Sequence, residues 1–258
     1  MKHVRPEVFL IASPKVDWEE VARYLRQVGG ERWLDLHDGE CDAQDLVEFA
    51  GKMCYRSWQP GLNPNVRKVR DDQREYLRNI LASRHGSVLE HASFTFVFSG
   101  VSRVFSHELV RHRPGTAVSQ ESLRYVRLEE IPMWIPDWAL QDKDLMNQVG
   151  PVITMLENLQ WWMADHWQLD SLPMHEKKAK TSFMRRFAPD GVATCVTWSA
   201  NIRALRHLIE VRTDPGAEEE IRLVFAQVAR IMQREVPILF GDFTEGEDGS
   251  WQPQWSKV

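Results

Sequence analysis

The side chains best suited to chemistry are concentrated in one run, Arg111-His112-Arg113-Pro114-Gly115-Thr116-Ala117-Val118-Ser119-Gln120-Glu121-Ser122-Leu123-Arg124-Tyr125. Arginines and a histidine stand there beside hydroxyls and an amide, with Glu121 the lone opposing carboxylate. Guanidinium groups present planar forks of N–H donors that match phosphate and carboxylate oxygens. A single charge of this kind is ordinarily a solvated surface group. The whole run, set between the apolar positions Val104, Phe105, Leu109 and Val110 and the pair Tyr125-Val126, instead suits a phosphorylated small molecule.

Three smaller clusters accompany it. His85-Gly86-Ser87-Val88-Leu89-Glu90-His91 precedes a Phe-rich stretch. Its histidines lack the i, i+4 helical spacing of a zinc site, so no metal is expected. Arg185-Arg186 is followed by Pro189, a weak signal alone. In Asn201–Arg212, Arg203 and His207 share a helix face, while Leu205, Leu208 and Ile209 form a core-facing set. An amphipathic helix with a solvated polar side explains that pattern equally well. Ser122 sits in no GxSxG elbow, and the chain has neither a Walker lysine loop nor a GxGxxG fingerprint.

The elements that must position these residues follow from periodicity and breakers. Val8–Ile11 reads as a strand, and 18–28 as a helix stopped by Gly29-Gly30. A helix over 42–55 takes Asp42 as its cap, a loop covers 59–65, and another helix covers 71–83. Ser93–Phe98 alternates as a strand and is broken at Gly100. Ser102 caps a helix that delivers Arg111 and Arg113 at its end, where Pro114-Gly115 forces a turn. A Trp-rich helix begins at Pro151 and runs to 168, and the wider Trp-rich segment 134–167 reads as core, with a subunit interface as the alternative. A basic helix spans 173–186, and a strand spans 194–198. Ser199 caps a helix to Arg212, and a last helix runs from about Pro215 to Val236. Few strands among many helices predict an α+β domain, and 258 residues suffice for one large domain or two small ones.

Composition narrows the function. The formal charge is −5, which gives no overall case for nucleic acid and leaves a local basic site for a small anion. Cys41, Cys54 and Cys195 are odd in number and widely spaced, so neither a disulfide framework nor a metal knuckle is expected. No stretch reaches the ~18 apolar residues of a membrane span, and the N-terminal apolar run is too short for a signal peptide. A soluble, cytoplasmic protein is the expectation.

Taken in order, the clusters resemble the flavin-dependent thymidylate synthases. Arg-His-Arg, a spacer, then Ser-Gln-x-Ser-x-Arg-Tyr is similar to that family's signature. So are His-x-Ser-x-x-Glu-His before Phe-Thr-Phe, Arg-x-x-x-Pro at Arg185–Pro189, and the Asn-x-Arg helix ending at Arg212. The likeness runs from about 50 to 236. It implies an α/β (α+β) fold, a mixed sheet with surrounding helices over a single domain, 1–258, and FAD-dependent reductive methylation of dUMP to dTMP, with 5,10-methylenetetrahydrofolate and NADPH as co-substrates, in a homotetramer with shared sites. FAD is implied for His85, Ser87, Arg111, His112, Arg113, Gln120, Asn201, Arg203 and His207. The nucleotide is implied for Glu108, Gln120, Ser122, Leu123, Arg124, Arg185 and Arg212, with Arg124 and Arg185 on its phosphate. Arg212 is the implied catalytic group, stabilising charge that develops on uracil. Two departures stand out: eight residues, Pro114 to Glu121, separate the triplet from Ser122 where the family has seven, and His207 stands where Asn is usual. The spacer keeps two alternatives in view, a different outcome such as hydroxymethylation and a non-catalytic flavin- or nucleotide-binding relative.

Overall fold

Phe94, Phe96 and Phe98 alternate along one strand and all three are buried, so the period of two in the sequence sets the face that the sheet turns inward. The computed structural model describes residues 2–36, 39–125 and 130–258. Its elements begin with β1 (Lys2–His3), β2 (Glu7–Ala12), α1 (Trp18–Val28), α2 (Arg32–Asp35), α3 (Asp42–Tyr55) and α4 (Gln73–Ala82). A 3₁₀ turn, Gly86–Glu90, leads into β3 (Ser93–Ser102), α5 (Arg103–Leu109), β4 (Thr116–Gln120), β5 (Pro132–Met133) and α6 (Asp137–Gln141). Then come α7 (Lys143–His166), α8 (Met174–Met184), β6 (Ala193–Asn201), α9 (Ile202–Arg212), α10 (Glu219–Glu235), α11 (Pro237–Phe240), β7 (Phe243–Glu245) and β8 (Trp251–Pro253). The largest sheet has the strand order β2-β3-β6-β4. This is the helix-and-sheet class expected from the sequence. Among the described residues no helix is long and apolar enough to cross a membrane.

The chain forms two compact units. The first takes in residues through Phe9, Val97–His112 and Val118–Thr197; the second takes in Leu10–Phe96, Arg113–Ala117 and Trp198–Val258. In the first, Phe98 meets Phe105 edge-on at 5.5 Å, which seats α5. Ile131, Ile153 and Val192 make one apolar cluster, with Leu123 packed against it, and Met163, Leu169 and Met184 make another. In the second unit, Leu25, Trp33 and Trp58 form an aromatic core flanked by Trp18, Tyr24 and Phe49.

Several local expectations are corrected. Cys41, not Asp42, is the N-cap of α3; Asp42 lies in the first turn, where its carboxylate accepts from Trp18 Nε1 at 3.2 Å. The strand does not stop at Gly100. It continues because Gly100 takes φ +69°, at a point where a Cβ would lie 2.6 Å from the Arg5 carbonyl oxygen. The Trp-rich helix starts at Lys143, capped by Asp142, and runs through Pro151. Trp161 and Trp162 on that helix, and Trp138 before it, are exposed rather than core. Ser199 stays in its strand, its Oγ 2.9 Å from Thr95 Oγ1, and the cap of α9 is Asn201, whose Oδ1 accepts from Ala204 N at 2.9 Å. Strands β4, β7 and β8 and the short α6 had no periodic signal long enough to read.

Two buried ion pairs brace the second unit. Lys52 and Glu48 are both almost fully buried, 3.4 Å apart, and burial pushes the Glu48 carboxyl up and the Lys52 ammonium down. Arg206, 4% exposed, donates through Nη1 and Nη2 to the two Asp242 carboxylate oxygens at 2.6 and 2.7 Å. It also donates to the Leu239 and Trp255 carbonyl oxygens, fixing the C-terminal segment on α9. Removing one member of such a pair strands the other in low dielectric. Asp242→Ala is therefore expected to lower stability by about 3–5 kcal/mol in denaturant unfolding, with Arg206→Met plus Asp242→Leu recovering much of it.

Candidate active site

In the first unit, the site residues hang from α5, the end of β4 and the end of α8. Ser102 Oγ accepts from Phe105 N at 3.0 Å and starts α5. That short helix stops at Leu109, so Arg111 follows it in a turn and His112 comes directly after. Arg111 Nη1 donates to Glu108 Oε1 at 3.2 Å, one helical turn back, with the Arg111 side chain well exposed. Gln120 is held differently: its Nε2 donates to Ser106 Oγ at 3.2 Å, and Ser106 is buried.

The following loop is pinned from three sides. Glu121 N donates to the Cys195 carbonyl at 3.0 Å, and Arg124 N donates to Ser122 Oγ at 3.3 Å. Leu123 packs into the Ile131–Ile153–Val192 cluster, so its part is to anchor the loop. Thr181 Oγ1 of α8 donates to the Arg124 carbonyl at 3.1 Å. Arg185 follows Thr181 by one helical turn, which puts both expected phosphate ligands under the control of one helix. A further cation sits there: burial first, and then the like charge of Arg185, hold the Arg103 guanidinium below its ordinary pKa. Arg103 also donates to the Glu121 carbonyl at 3.4 Å.

In the second unit three distant pieces of sequence converge. Asn201 N donates to the Gly115 carbonyl at 3.0 Å, joining the Arg113–Ala117 loop to the start of α9. Gly115 has φ +70°, and a Cβ on it would lie 2.6 Å from Asn201 Nδ2. Ile202 N donates to the Ala92 carbonyl at 2.9 Å, and Arg203 Nη1 reaches Glu90 Oε1 at 2.5 Å. These contacts bring the His85–His91 turn to the same end of α9. Gly86 packs here too, since its Cβ would lie 2.7 Å from Arg203 Nε. Arg203 and His207 are both exposed on one face of α9, as their spacing predicts. His85 and Ser87 are exposed at the turn. Arg212 ends the helix, where buried Thr213 donates to the Ile209 carbonyl at 2.7 Å and accepts from Trp251 N at 2.8 Å.

The structure thus groups Glu108, Arg111, Gln120, Ser122, Arg124 and Arg185 on elements of the first unit, and His85, Ser87, Arg113, Asn201 and Arg203 around one junction of the second. His112 belongs to the first unit, and His207 and Arg212 to the second. Ser106, Thr181 and Glu90 hold these groups, and none of them was assigned that part from sequence. Only Glu90 had a visible signal there, since it lies inside the His-x-Ser-x-x-Glu-His motif.

Fold and site together describe an α/β protein that carries exposed guanidinium groups on loops fastened to helices, donors whose planar forks match oxyanions. Comparison with known proteins gives this class a family. A family model described as thymidylate synthase complementing protein matches residues 36–238. A flavin-dependent thymidylate synthase of Mycobacteroides abscessus is 33% identical over 241 residues, 90% of this chain and 85% of its own. One of Mycobacterium tuberculosis is 34% identical over 206 residues, 77% of this chain and 78% of its own. Among solved structures, thymidylate synthase X of Helicobacter pylori with FAD and dUMP has a TM-score of 0.57 at 23% identity, over 77% of this chain and 93% of its own. A UMP/dUMP methylase, PolB of Streptomyces cacaoi, has a TM-score of 0.61 at 18% identity, over 93% and 95%. The structural likenesses are likenesses of fold. The chain belongs to the flavin-dependent thymidylate synthase family, whose reaction is the methylation of dUMP to dTMP.

The Gly115–Asn201 contact leaves no room for a side chain. Gly115→Ala should lower thermal stability by more than about 1 kcal/mol, because φ and contact are both unfavourable, while Ala117→Gly nearby should cost less.

Proposed function

We propose that this chain carries out the reductive methylation of dUMP to dTMP, taking carbon from 5,10-methylenetetrahydrofolate and electrons from NADPH by way of FAD. Family membership supports the reaction. The observation that carries the assignment of sites is the convergence at Asn201, where donors from three segments meet around backbone too tight for side chains.

The residues present fit a flavin dinucleotide. His85, Ser87, Arg113 and Arg203 offer exposed donors, and Gly86 and Gly115 let the turn and the loop that carry them pack against the start of α9. In this reading His85, Ser87, Arg111, His112, Arg113, Gln120, Asn201, Arg203 and His207 hold FAD, which when bound supplies hydride chemistry. Ser122, Leu123 and Arg124 hold the nucleotide, with Arg124 and Arg185 on its phosphate and Glu108 and Gln120 on its remaining polar edge. Arg212 faces the uracil. A fixed guanidinium there stabilises negative charge drawn toward N3 and O4, which leaves C6 electron-poor. No protein nucleophile is needed, so Ser122 serves as a binding hydroxyl. The chain works as one functional domain in a cytoplasmic homotetramer; the free thiols Cys41, Cys54 and Cys195 suit a reducing compartment.

Mass analysis of the nucleotide formed from dUMP, methylenetetrahydrofolate and NADPH tests the reading, and dTMP is the expected product. Hydroxymethylated nucleotide, or no product from FAD-loaded protein, overturns it. Arg212→Ala is expected to cut turnover by about 10²-fold or more while FAD stays bound, and wild-type turnover would remove Arg212 from its role.

A further inference from the structure

Residues 255–258 lie along α9 and reach a side chain that the flavin reading also claims. Their root is tied to a buried ion pair: Arg206 Nη2 donates to the Trp255 carbonyl at 3.1 Å, and Trp255 N donates to Asp242 Oδ2 at 3.3 Å. Beyond the root, Ser256 Oγ donates to Glu210 Oε1 at 2.6 Å, and Arg203 Nε donates to the Val258 carbonyl at 3.2 Å. Arg203, Arg206 and Glu210 stand three and four residues apart, which sets them along one side of the helix.

The tip sits inside the junction at the start of α9. A Cβ on Gly86 would lie 2.6 Å from the Val258 carbonyl carbon and 2.7 Å from Arg203 Nε, so Val258 closes directly on the turn. Glu90 meanwhile holds Nη1 of the same guanidinium. A phosphate can be gripped through Nε and its neighbouring Nη only after the Val258 carbonyl leaves. Of the two partners that carbonyl is the weaker, being neutral where Glu90 makes a charge-assisted bond. Lys257 adds a strain of its own, since its φ of +57° is a left-handed conformation that a residue with a Cβ adopts at a cost. The segment is therefore closed by two side contacts against its own backbone preference.

We propose that residues 256–258 are an autoinhibitory strap, which holds the Arg203 fork until a flavin phosphate takes it, so that flavin binding and strap opening are one coupled step. The proposal rests on the reading that Arg203 holds FAD. Closure of the strap then weakens the apparent flavin affinity in proportion to the fraction of molecules that are open.

The test is titration of FAD into flavin-free protein, followed by flavin fluorescence, for wild type, Lys257→Pro and Lys257→Gly. Both variants lose the same charge and keep Trp255 with its anchors. Proline fixes φ near −65° and cannot form the closed strap, whereas glycine forms it without strain. Lys257→Pro is expected to bind FAD about threefold or more tighter, and Lys257→Gly to bind it no tighter than wild type. Ser256→Ala, which removes the Glu210 contact, should tighten FAD in the same direction as Lys257→Pro. Amide exchange at 256–258 should also rise when FAD binds. Wild-type or weaker FAD affinity in Lys257→Pro overturns the strap. Arg203→Ala keeps the two readings apart. If it weakens FAD while Lys257→Pro changes nothing, the strap alone fails; if it leaves FAD affinity unchanged, the placement of flavin at Arg203 fails and takes the strap with it.

Discussion

The hydrogen bond from Asn201 N to the Gly115 carbonyl is the constraint on which the second unit's site depends. It forms only because Gly115 has no side chain, and Asn201 at the same time uses its own side chain to cap α9. One residue therefore fixes where the Arg113 loop lies and where α9 begins. Once α9 starts there, Arg203 is within reach of Glu90, and the His85–His91 turn is held at the same place. The spacing of Arg203 and His207 then follows from helical geometry alone.

The cations of the first unit obey the same economy of anchoring. Long arginine side chains lose rotamer freedom when they bind, so the gain is greater if their backbones are already fixed. Thr181 holds the Arg124 carbonyl, Leu123 is packed in an apolar cluster, and Arg185 closes the helix that carries Thr181. Arg103 remains beside them as a further positive charge in partial burial. The deeper support is ionic and buried: Arg206 with Asp242 ties the C-terminal segment to α9, and Lys52 with Glu48 braces α3.

The candidate residues of the proposed site were picked out by residue type and order. The Arg111–Arg113 triplet, Ser122–Arg124 and the Arg203–His207 face could each be read from the chain, as could the helix-and-sheet class. What could not be read was what fixes them. Ser106 and Thr181 are ordinary hydroxyl residues in helices, and nothing in a one-dimensional pattern says which backbone group they will meet. The N-cap of α9 was placed two residues early because Ser199 and Asn201 have similar cap preference, and only the Thr95 partner across the sheet decides that Ser199 stays in the strand. Gly100 was read as a stop because glycine breaks strands in general, whereas here it admits the Arg5 backbone. The exposed tryptophans of α7 mark the limit of composition: a Trp-rich helix can present its rings outward as readily as inward.

The central claim is that the His85–His91 turn, the Arg113–Ala117 loop and the first turns of α9 act together as a flavin site. Hydrogen–deuterium exchange with and without FAD tests it most directly. The account predicts protection on FAD binding in all three segments together. Protection confined to other regions, or to one of the three with the other two unchanged, would contradict it.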